Sequence, residues 1–172
     1  GSSKLSGAKY VGGIAGYSAS QIGSNNGTII NYAAVKASGD YAGGIAGYTE
    51  KSIRKAKNYG EVSGASRVGG IAGGSDNSLN NSENHGKITA SGDYVGGIAG
   101  ESSSQASSCN NEAQISAAGN YVGGIVGYGG SVSSGKNTGA ISGASYVGGM
   151  AGYSTSSVNS SNNTGAVTSE GD

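Results

Sequence analysis

The sequence predicts an all-β fold, a β-solenoid (β-helix) of about six stacked coils, and two observations carry this prediction. A segment close to Tyr-Val-Gly-Gly-Ile-Ala-Gly-Tyr occurs six times in 172 residues. In step with it, an Asn is followed two residues later by Gly or Ala and four residues later by Val or Ile. Self-similarity at a period of about 20 to 50 residues is typical of solenoids and propellers.

The second glycine of each repeated pair anchors the count of coils. Successive anchors are 31, 26, 27, 27 and 25 residues apart. Propeller blades of the WD type are the alternative, but they use about 40 residues and four strands each. We therefore assign residues 4–172 to one β-solenoid domain with coils of 25–31 residues. The anchors are Gly13, Gly44, Gly70, Gly97, Gly124 and Gly149.

The asparagine column predicts which side chains face inward. Each unit offers three short strand candidates, and in the third the Asn, the Gly or Ala and the Val or Ile share one parity. Stacked coils place equivalent residues about 4.8 Å apart, where Asn amides bond along the stack as a ladder. Stacking also places Lys57 beside Glu83 and Glu61 beside Lys87. The asparagines are Asn31, Asn58, Asn84, Asn111, Asn137 and Asn163.

Adjacent glycines in the most hydrophobic segment need an explanation, because glycine weakens a strand. One interpretation is a bend at the pair that turns both the preceding Val and the following Ile inward. The other is a strand covered on both faces. In either case the missing side chains let the opposing wall of a thin coil approach closely.

Composition argues against several classes of partner. Ten acidic and ten basic residues leave no net charge, which does not favour nucleic acid or a membrane surface. No apolar run is long enough for membrane insertion. A single cysteine, Cys109, excludes an internal disulfide framework. No cofactor-binding motif is present, since Gly-Gly-Ile-Ala-Gly lacks the Lys-Ser/Thr of a phosphate loop.

We assign no catalytic and no metal-binding residues. Cys109 and His85 fall in adjacent coils, but parity points the thiol inward and the imidazole outward. Asp40 and Asp93 are separated by a coil that carries Ser66 at the equivalent position, so they do not form a ligand set. Their Ser-Gly-Asp segments are typical of turns instead.

The tyrosines offer the best candidate ligand surface, because all eleven lie in repeat columns. Tyrosine combines an apolar ring with a polar tip, which suits a host glycan or a protein partner. Ladder packing that stiffens the turns is the alternative role. Arg67 interrupts the first column, where its guanidinium can lie over a neighbouring ring. The candidate surface is the column before the glycine pair: Tyr10, Tyr41, Tyr94, Tyr121 and Tyr146.

Both termini fall inside the repeat. Asp172 occupies the place of Asp93, and Gly1-Ser2-Ser3 reads as a cloning remnant. We therefore expect an uncapped excerpt of a longer array. Uncapped β-edges favour pairing with other molecules, so edge-to-edge or end-to-end self-association is expected.

The repeated segment resembles the GLUG motif of bacteria, named for its Gly-Leu-x-Gly core after a Val-Gly-Gly lead. Here the core reads GIAG four times, then GIVG at 124–127 and GMAG at 149–152. The resemblance implies an extracellular or bacterial cell-surface location, in adhesin-like proteins or IgA-cleaving zinc peptidases. No His-Glu-x-x-His motif is present, so a peptidase's catalytic residues are not carried over.

The predicted function is a non-catalytic structural or adhesive module, a stalk or scaffold of a secreted or surface protein. The alternatives are a glycan-binding β-helix that uses the tyrosine columns and an accessory region of a secreted peptidase. Ice or crystal-surface binding is a further hypothesis that expects regular Thr rows, and Thr28, Thr89 and Thr155 form none.

Overall fold

Thirty short β-strands follow one another along residues 4–171, the part of the chain that the computed structural model describes. The cloning remnant expected at Gly1-Ser2-Ser3 and the repeat position expected for Asp172 lie outside the described residues. No helix occurs within residues 4–171. Glycine and β-branched residues dominate the strands, and both disfavour helix.

The strands are two to four residues long. In the first part of the chain they are β1 (Lys4–Gly7), β2 (Val11–Gly12), β3 (Ala15–Ser18), β4 (Ile29–Asn31), β5 (Ala34–Ala37), β6 (Ala42–Gly43), β7 (Ala46–Thr49), β8 (Ile53–Arg54), β9 (Ala56–Asn58) and β10 (Val62–Gly64). In the middle they are β11 (Val68–Gly69), β12 (Ala72–Ser75), β13 (Leu79–Asn80), β14 (Glu83–Asn84), β15 (Ile88–Ala90), β16 (Val95–Gly96), β17 (Ala99–Ser102), β18 (Ala106–Ser107), β19 (Asn110–Asn111) and β20 (Ile115–Ala117). In the last part they are β21 (Val122–Gly123), β22 (Val126–Gly129), β23 (Val132–Ser133), β24 (Lys136–Asn137), β25 (Ile141–Gly143), β26 (Val147–Gly148), β27 (Ala151–Ser154), β28 (Val158–Asn159), β29 (Asn162–Asn163) and β30 (Val167–Ser169).

These strands form five parallel sheets that run the length of the molecule. Sheet A orders β1-β5-β10-β15-β20-β25-β30 and sheet B orders β2-β6-β11-β16-β21-β26. Sheet C orders β3-β7-β12-β17-β22-β27, sheet D orders β8-β13-β18-β23-β28, and sheet E orders β4-β9-β14-β19-β24-β29. Each strand pairs with its equivalent one coil away. The predicted all-β solenoid of about six coils is therefore confirmed.

Each coil contributes to five sheets, so the three strand candidates of each unit do not account for all of its strands. The proposed third strand is two strands, since β9 ends at Asn58 and β10 begins at Val62. Gly60 turns the chain between them where the backbone approaches closely, and a β-carbon there would overlap the Ala33 carbonyl. The inward parity is nevertheless correct, since Asn58 and Val62 are both buried.

The interior contains two separate apolar cores. The A/B core lies between sheets A and B and joins residues such as Val62, Ile88 and Val68. The C/D/E core lies among sheets C, D and E and joins residues such as Ile71 and Leu79. In the coils between the two ends, Val, Ile or Leu side chains enter both cores. Such large apolar side chains gain about 1.5–3 kcal/mol each from full burial. In the last coil the C/D/E core is covered by Met150 and Ala151 instead.

The glycine pair divides the two cores by bending the chain. Val68 before the pair is buried in the A/B core, whereas Ile71 after it is buried in the C/D/E core. The interpretation of a bend that turns both side chains inward is therefore confirmed. Close approach is confirmed as well, because a β-carbon on Gly70 would overlap the side chain of Asn84 on the opposing wall.

The asparagines form the predicted ladder along this division between the cores. Asn58 Nδ2 donates to Asn84 Oδ1 at 2.9 Å, and Asn84 Nδ2 donates to Asn111 Oδ1 at 2.9 Å. Each amide also donates to the backbone carbonyl two residues later, as Asn84 does to Gly86 at 3.0 Å. The same bonds extend from Asn31 to Asn163. Every buried amide is thus paired, as a buried polar group must be.

Surface charges follow the predicted register in part. Lys57 Nζ lies 2.8 Å from Glu83 Oε2, as stacking predicts. Glu61 and Lys87 occupy equivalent places before the paired residues Val62 and Ile88. Among the described residues, however, no ion pair within 4.0 Å joins that second pair.

Candidate functional site

The residue before each Val-Gly or Ala-Gly strand of sheet B lies at a corner where the backbone takes the left-handed conformation. Its φ is between 54° and 64° in every coil. This conformation costs a residue other than glycine about 1–2 kcal/mol. A large side chain at this position therefore needs a compensating interaction. These corner residues are Tyr10, Tyr41, Arg67, Tyr94, Tyr121 and Tyr146.

A second column of side chains reaches the same corner from sheet C. The chain turns back after the glycine pair, so the ring of Tyr48 meets the ring of Tyr41 edge to face at 5.4 Å. Tyr121 and Tyr128 repeat this contact at 5.5 Å. We call the two columns together the tyrosine corner. The second column consists of Tyr17, Tyr48, Gly74, Glu101, Tyr128 and Tyr153.

Within each column the rings stack from coil to coil. Tyr121 stacks on Tyr94 at 5.3 Å and on Tyr146 at 4.7 Å, with the ring planes within 15° of parallel. In the second column Tyr128 stacks on Tyr153 at 5.2 Å. An aromatic pair contributes about 0.5–1.5 kcal/mol beyond its buried area. Stacking on both sides is thus large enough to offset the left-handed backbone.

Arg67 replaces a tyrosine in the middle of the first column and keeps the stack continuous. Its guanidinium carbon lies 5.1 Å from the ring centres of both Tyr41 and Tyr94, as predicted. Its Nε donates to Glu101 Oε2 at 2.6 Å. Position 74 beside it has no side chain, and the rings of Tyr41 and Tyr48 occupy that space. Most other coils carry tyrosine at the positions of Arg67, Gly74 and Glu101. In place of stacked rings, these positions have an ion pair between Arg67 and Glu101.

Two hydroxyls of the second column are tied to carboxylates of the next coil. Tyr48 Oη donates to Asp76 Oδ1 at 2.5 Å, and Tyr17 Oη donates to Glu50 Oε1. Burial, followed by the bond to Asp76, raises the pKa of Tyr48. The bond to Glu50 raises the pKa of Tyr17. Both phenols therefore remain protonated donors at neutral pH.

The structure brings the five candidate tyrosines into one line, and their faces are largely occupied. Tyr121 has a ring on both faces, and Tyr41 and Tyr94 each have a ring on one face and Arg67 on the other. The column interior therefore presents ring edges and hydroxyls to solvent. A sugar ring that stacks on an aromatic face would find an uncovered face only at the ends of the column.

A separate aromatic column lies on the outer surface of sheet E, and the predicted site did not include it. Tyr32 stacks on Tyr59 at 5.1 Å, and Tyr59 stacks on His85 at 4.7 Å. The His85 ring nitrogens lie 3.1 Å from Glu112 and 3.3 Å from Glu83. Tyr32 is 71% exposed, more than any tyrosine of the tyrosine corner. The signal for this surface in the sequence is the residue directly after each ladder asparagine, which is Tyr, His, Glu or Thr in every coil.

Sheet A carries an outward-facing row of hydroxyl side chains. The search for Thr rows in the sequence did not detect it. Ser and Thr alternate freely in this row, so a search for Thr does not detect it. The paired members are Ser63, Thr89, Ser116, Ser142 and Thr168.

The remaining candidate groups are not brought together. Cys109 is fully buried with its Sγ 3.4 Å from the Leu79 carbonyl, and burial raises the pKa of this thiol to about 12. His85 lies on the outside. Asp93 accepts a hydrogen bond from the backbone N–H of Asn120, one coil away, at 2.7 Å, so its carboxylate links the corners of two coils. Within residues 4–171, no group of three His, Cys, Asp or Glu side chains has an arrangement that could hold a metal ion, and no ligand-sized cavity is found.

The fold and the surface columns define a parallel β-solenoid repeat protein. Comparison of the chain with protein-family models, with curated proteins and with solved structures gave no match. Among the described residues, no helix has the length and apolar character needed to cross a membrane.

Proposed function

We propose that this chain is a non-catalytic structural module, a stiff stalk or scaffold of a bacterial cell-surface or secreted protein. One observation carries the proposal: five parallel sheets and the asparagine ladder run without interruption through the described coils. In such an array each unit contacts only its neighbours. Each added coil lengthens the rod by about 4.8 Å.

The GLUG-like repeat supports the extracellular location that we propose. Placement beside a secreted peptidase domain is consistent with the same role, since a scaffold needs no reacting groups of its own. The external columns differ from coil to coil, whereas the internal columns barely change. The constant interior is sufficient for a spacer. A binding partner would contact the variable side chains on the exterior.

Changing the number of coils tests the stalk. Duplication of residues 68–121 adds two coil periods, and the maximum dimension measured by small-angle X-ray scattering should grow by about 10 Å. A matched control inserts a flexible Gly/Ser segment of equal length between Asn26 and Gly27, in the exposed loop of the first coil. The flexible loop of the control should widen the cross-section of the rod, whereas the duplication should leave the cross-section unchanged. If the duplicated variant does not lengthen, or widens as the control does, the stalk proposal is wrong.

Adhesion through the tyrosine corner is the second candidate, and the left-handed tyrosines favour it. Stacking offsets the left-handed backbone and covers the ring faces, so the tyrosines turn their edges outward in a regular row that a partner could contact. The partner would be a host glycan or a protein. Glycan arrays and immobilised extracellular proteins should bind the chain, and Tyr121→Phe/Tyr146→Phe should weaken binding. The control is Tyr32→Phe/Tyr59→Phe on sheet E.

We also propose that the isolated chain associates end to end. The first and last coils expose apolar core positions, among them Leu5, Ile14 and Val167 at 41%, 52% and 42%. The two ends carry equivalent columns, so contact is head to tail and does not close. Sedimentation should show mass rising with concentration. Leu5→Glu should suppress this association and Lys4→Glu should not.

A further inference from the structure

The tyrosine corner holds pairs of phenol rings at a separation that favours a covalent bond between coils. Tyr121 and Tyr146 have ring centres 4.7 Å apart and planes 9° from parallel. Tyr128 and Tyr153 have centres 5.2 Å apart and planes 10° from parallel. Both pairs join residues 25 positions apart in adjacent coils. Only the fold brings them together.

The backbone holds these rings in place. The Tyr121 backbone N–H donates to Ser145 O at 3.0 Å, and Val122 N–H donates to Tyr146 O at 3.1 Å, so the two corners lie on adjacent rungs. Tyr128 and Tyr153 are direct partners in sheet C. Fixed proximity converts a reaction between two groups into an effectively unimolecular one.

The rings are also accessible to a reagent in solution. Tyr146 is 59% exposed and Tyr153 is 45% exposed, whereas Tyr121 and Tyr128 are half-buried. Because the stack covers the ring faces, it leaves the edges outward, and the carbons ortho to the hydroxyl lie on those edges. These are the carbons at which phenoxyl radicals couple.

We propose that adjacent-coil tyrosines of the tyrosine corner are an oxidative cross-linking site. The co-reactant is hydrogen peroxide acting through a haem peroxidase. Each phenol loses one electron and its hydroxyl proton, and the two phenoxyl radicals join through a new ortho carbon–carbon bond. The two displaced ring protons move to the oxygens and restore both phenols. Hydrogen peroxide accepts the two electrons and two protons and becomes two waters.

Such a bond would be a covalent cross-link between adjacent coils. It would link residues 25 apart, and a cross-link of this kind restricts the unfolded chain as a disulfide does. The chain has one cysteine, and that cysteine is buried, so tyrosine supplies a cross-linking group that cysteine does not. Cross-linking would suit a stalk, but the chemistry does not depend on that function.

The sequence supplies a direct readout of the bond. Trypsin cleaves after Lys87 and Lys136 and yields the peptides 88–136 and 137–172. Tyr121 and Tyr128 lie in the first peptide, and Tyr146 and Tyr153 lie in the second. Either adjacent-coil bond therefore joins two peptides that otherwise separate. Mass spectrometry of the oxidised monomer, isolated by size under denaturing conditions, detects the joined species two hydrogens lighter than the sum.

The full chain would be treated at low concentration with horseradish peroxidase and hydrogen peroxide. We expect the joined peptide together with dityrosine fluorescence in the monomer. Oxidation of the chain unfolded by urea, at a concentration that the peroxidase tolerates, should lower the joined yield at least about tenfold. The double variant Tyr146→Phe/Tyr153→Phe keeps the aromatic rings but removes both phenol hydroxyls from the second peptide. It should abolish the joined peptide. Tyr10→Phe/Tyr17→Phe at the other end should leave it.

Three outcomes would overturn the proposal. The first is a monomer with no joined peptide, including the case in which dityrosine appears solely in dimers. The second is an equal joined yield from folded and unfolded chains. The third is a joined peptide that persists in Tyr146→Phe/Tyr153→Phe. Circular dichroism of each variant before oxidation establishes that the comparison is between folded proteins.

Discussion

The side chain of Asn84 packs directly on the backbone of Gly70. A β-carbon added to Gly70 would lie 2.5 Å from Asn84 Oδ1 and would overlap Cγ. The same relationship joins Gly44 to Asn58 and recurs in the other coils. The repeated glycine and the repeated asparagine are therefore two halves of one contact, and neither is explained by strand propensity.

Replacing Gly70 with alanine should destabilise the fold. The added methyl group meets a fixed backbone and a fully bonded amide, so overpacking should cost about 1–3 kcal/mol. Gly27→Ala is the matched control, since a β-carbon there would meet nothing within 4 Å. Urea unfolding of both variants measures the difference. Equal stability of the two variants would contradict the contact.

Replacing a ladder asparagine should lower the free energy of unfolding far more than replacing the residue next to it in the sequence. Asn111→Ala removes the acceptor of Asn84 Nδ2 and the donor to Asn137 Oδ1, each at 2.8–2.9 Å inside the protein. A buried group left without a partner costs about 1–3 kcal/mol. Asn110→Ala changes the adjacent, outward-facing residue and should cost less than about 0.5 kcal/mol. The free energy of unfolding of each variant, measured in urea, decides between them.

The sequence predicted the solenoid because its period and its inward columns survive in every repeat. It did not predict five sheets, because strands of two residues, such as Val68–Gly69, are too short to show an alternation. It did predict that Asn58 and Val62 face inward, since a turn of three residues keeps their parity.

The tyrosine corner was predicted in part. The column of tyrosines and the place of Arg67 over its neighbours follow from stacking alone. The left-handed backbone does not follow, because tyrosine is a residue that normally avoids it. The ion pair between Arg67 and Glu101 could not be predicted from the sequence either. It forms only because the two columns meet at one corner of the fold.

The left-handed corner predicts an unusual order of stability among substitutions. Tyr121→Ala loses the stacking and keeps the conformational cost, whereas Tyr121→Gly loses the stacking and relieves the cost. The glycine variant should therefore be more stable than the alanine variant by about 1 kcal/mol. Tyr128 has no positive φ, so the same two variants there should not show this order. Thermal unfolding of the four variants provides the comparison.

The ion pair on sheet E should make stability fall in acid. The hydrogen bond from Lys57, and to a lesser degree that from His85, lowers the pKa of the Glu83 carboxyl. Stability from a lowered carboxyl pKa is present above the unfolded value and is lost as pH falls through the folded value. Wild type should therefore lose more stability than Glu83→Gln between pH 7 and pH 3. The difference should be about 0.5 kcal/mol, because the pair is partly exposed.

The control for this measurement is Glu61→Gln, which removes an exposed carboxylate that makes no ion pair among the described residues. Its pH dependence should match that of wild type. Urea titrations at both pH values give the free energies. A Glu83→Gln variant that loses as much stability as wild type would show that the pair contributes nothing to the acid response.

Cys109 should be unreactive until the solenoid opens. Its thiol is enclosed by sheets D and E, and burial raises its pKa to about 12, so little nucleophilic thiolate forms at pH 8. Iodoacetamide should leave the folded protein unlabelled and should label it fully in urea. A Cys109→Ala/Ser103→Cys variant moves the thiol to an exposed turn of the same coil and should be labelled in both states. Rapid labelling of folded wild type would mean that the C/D/E core opens readily at this coil.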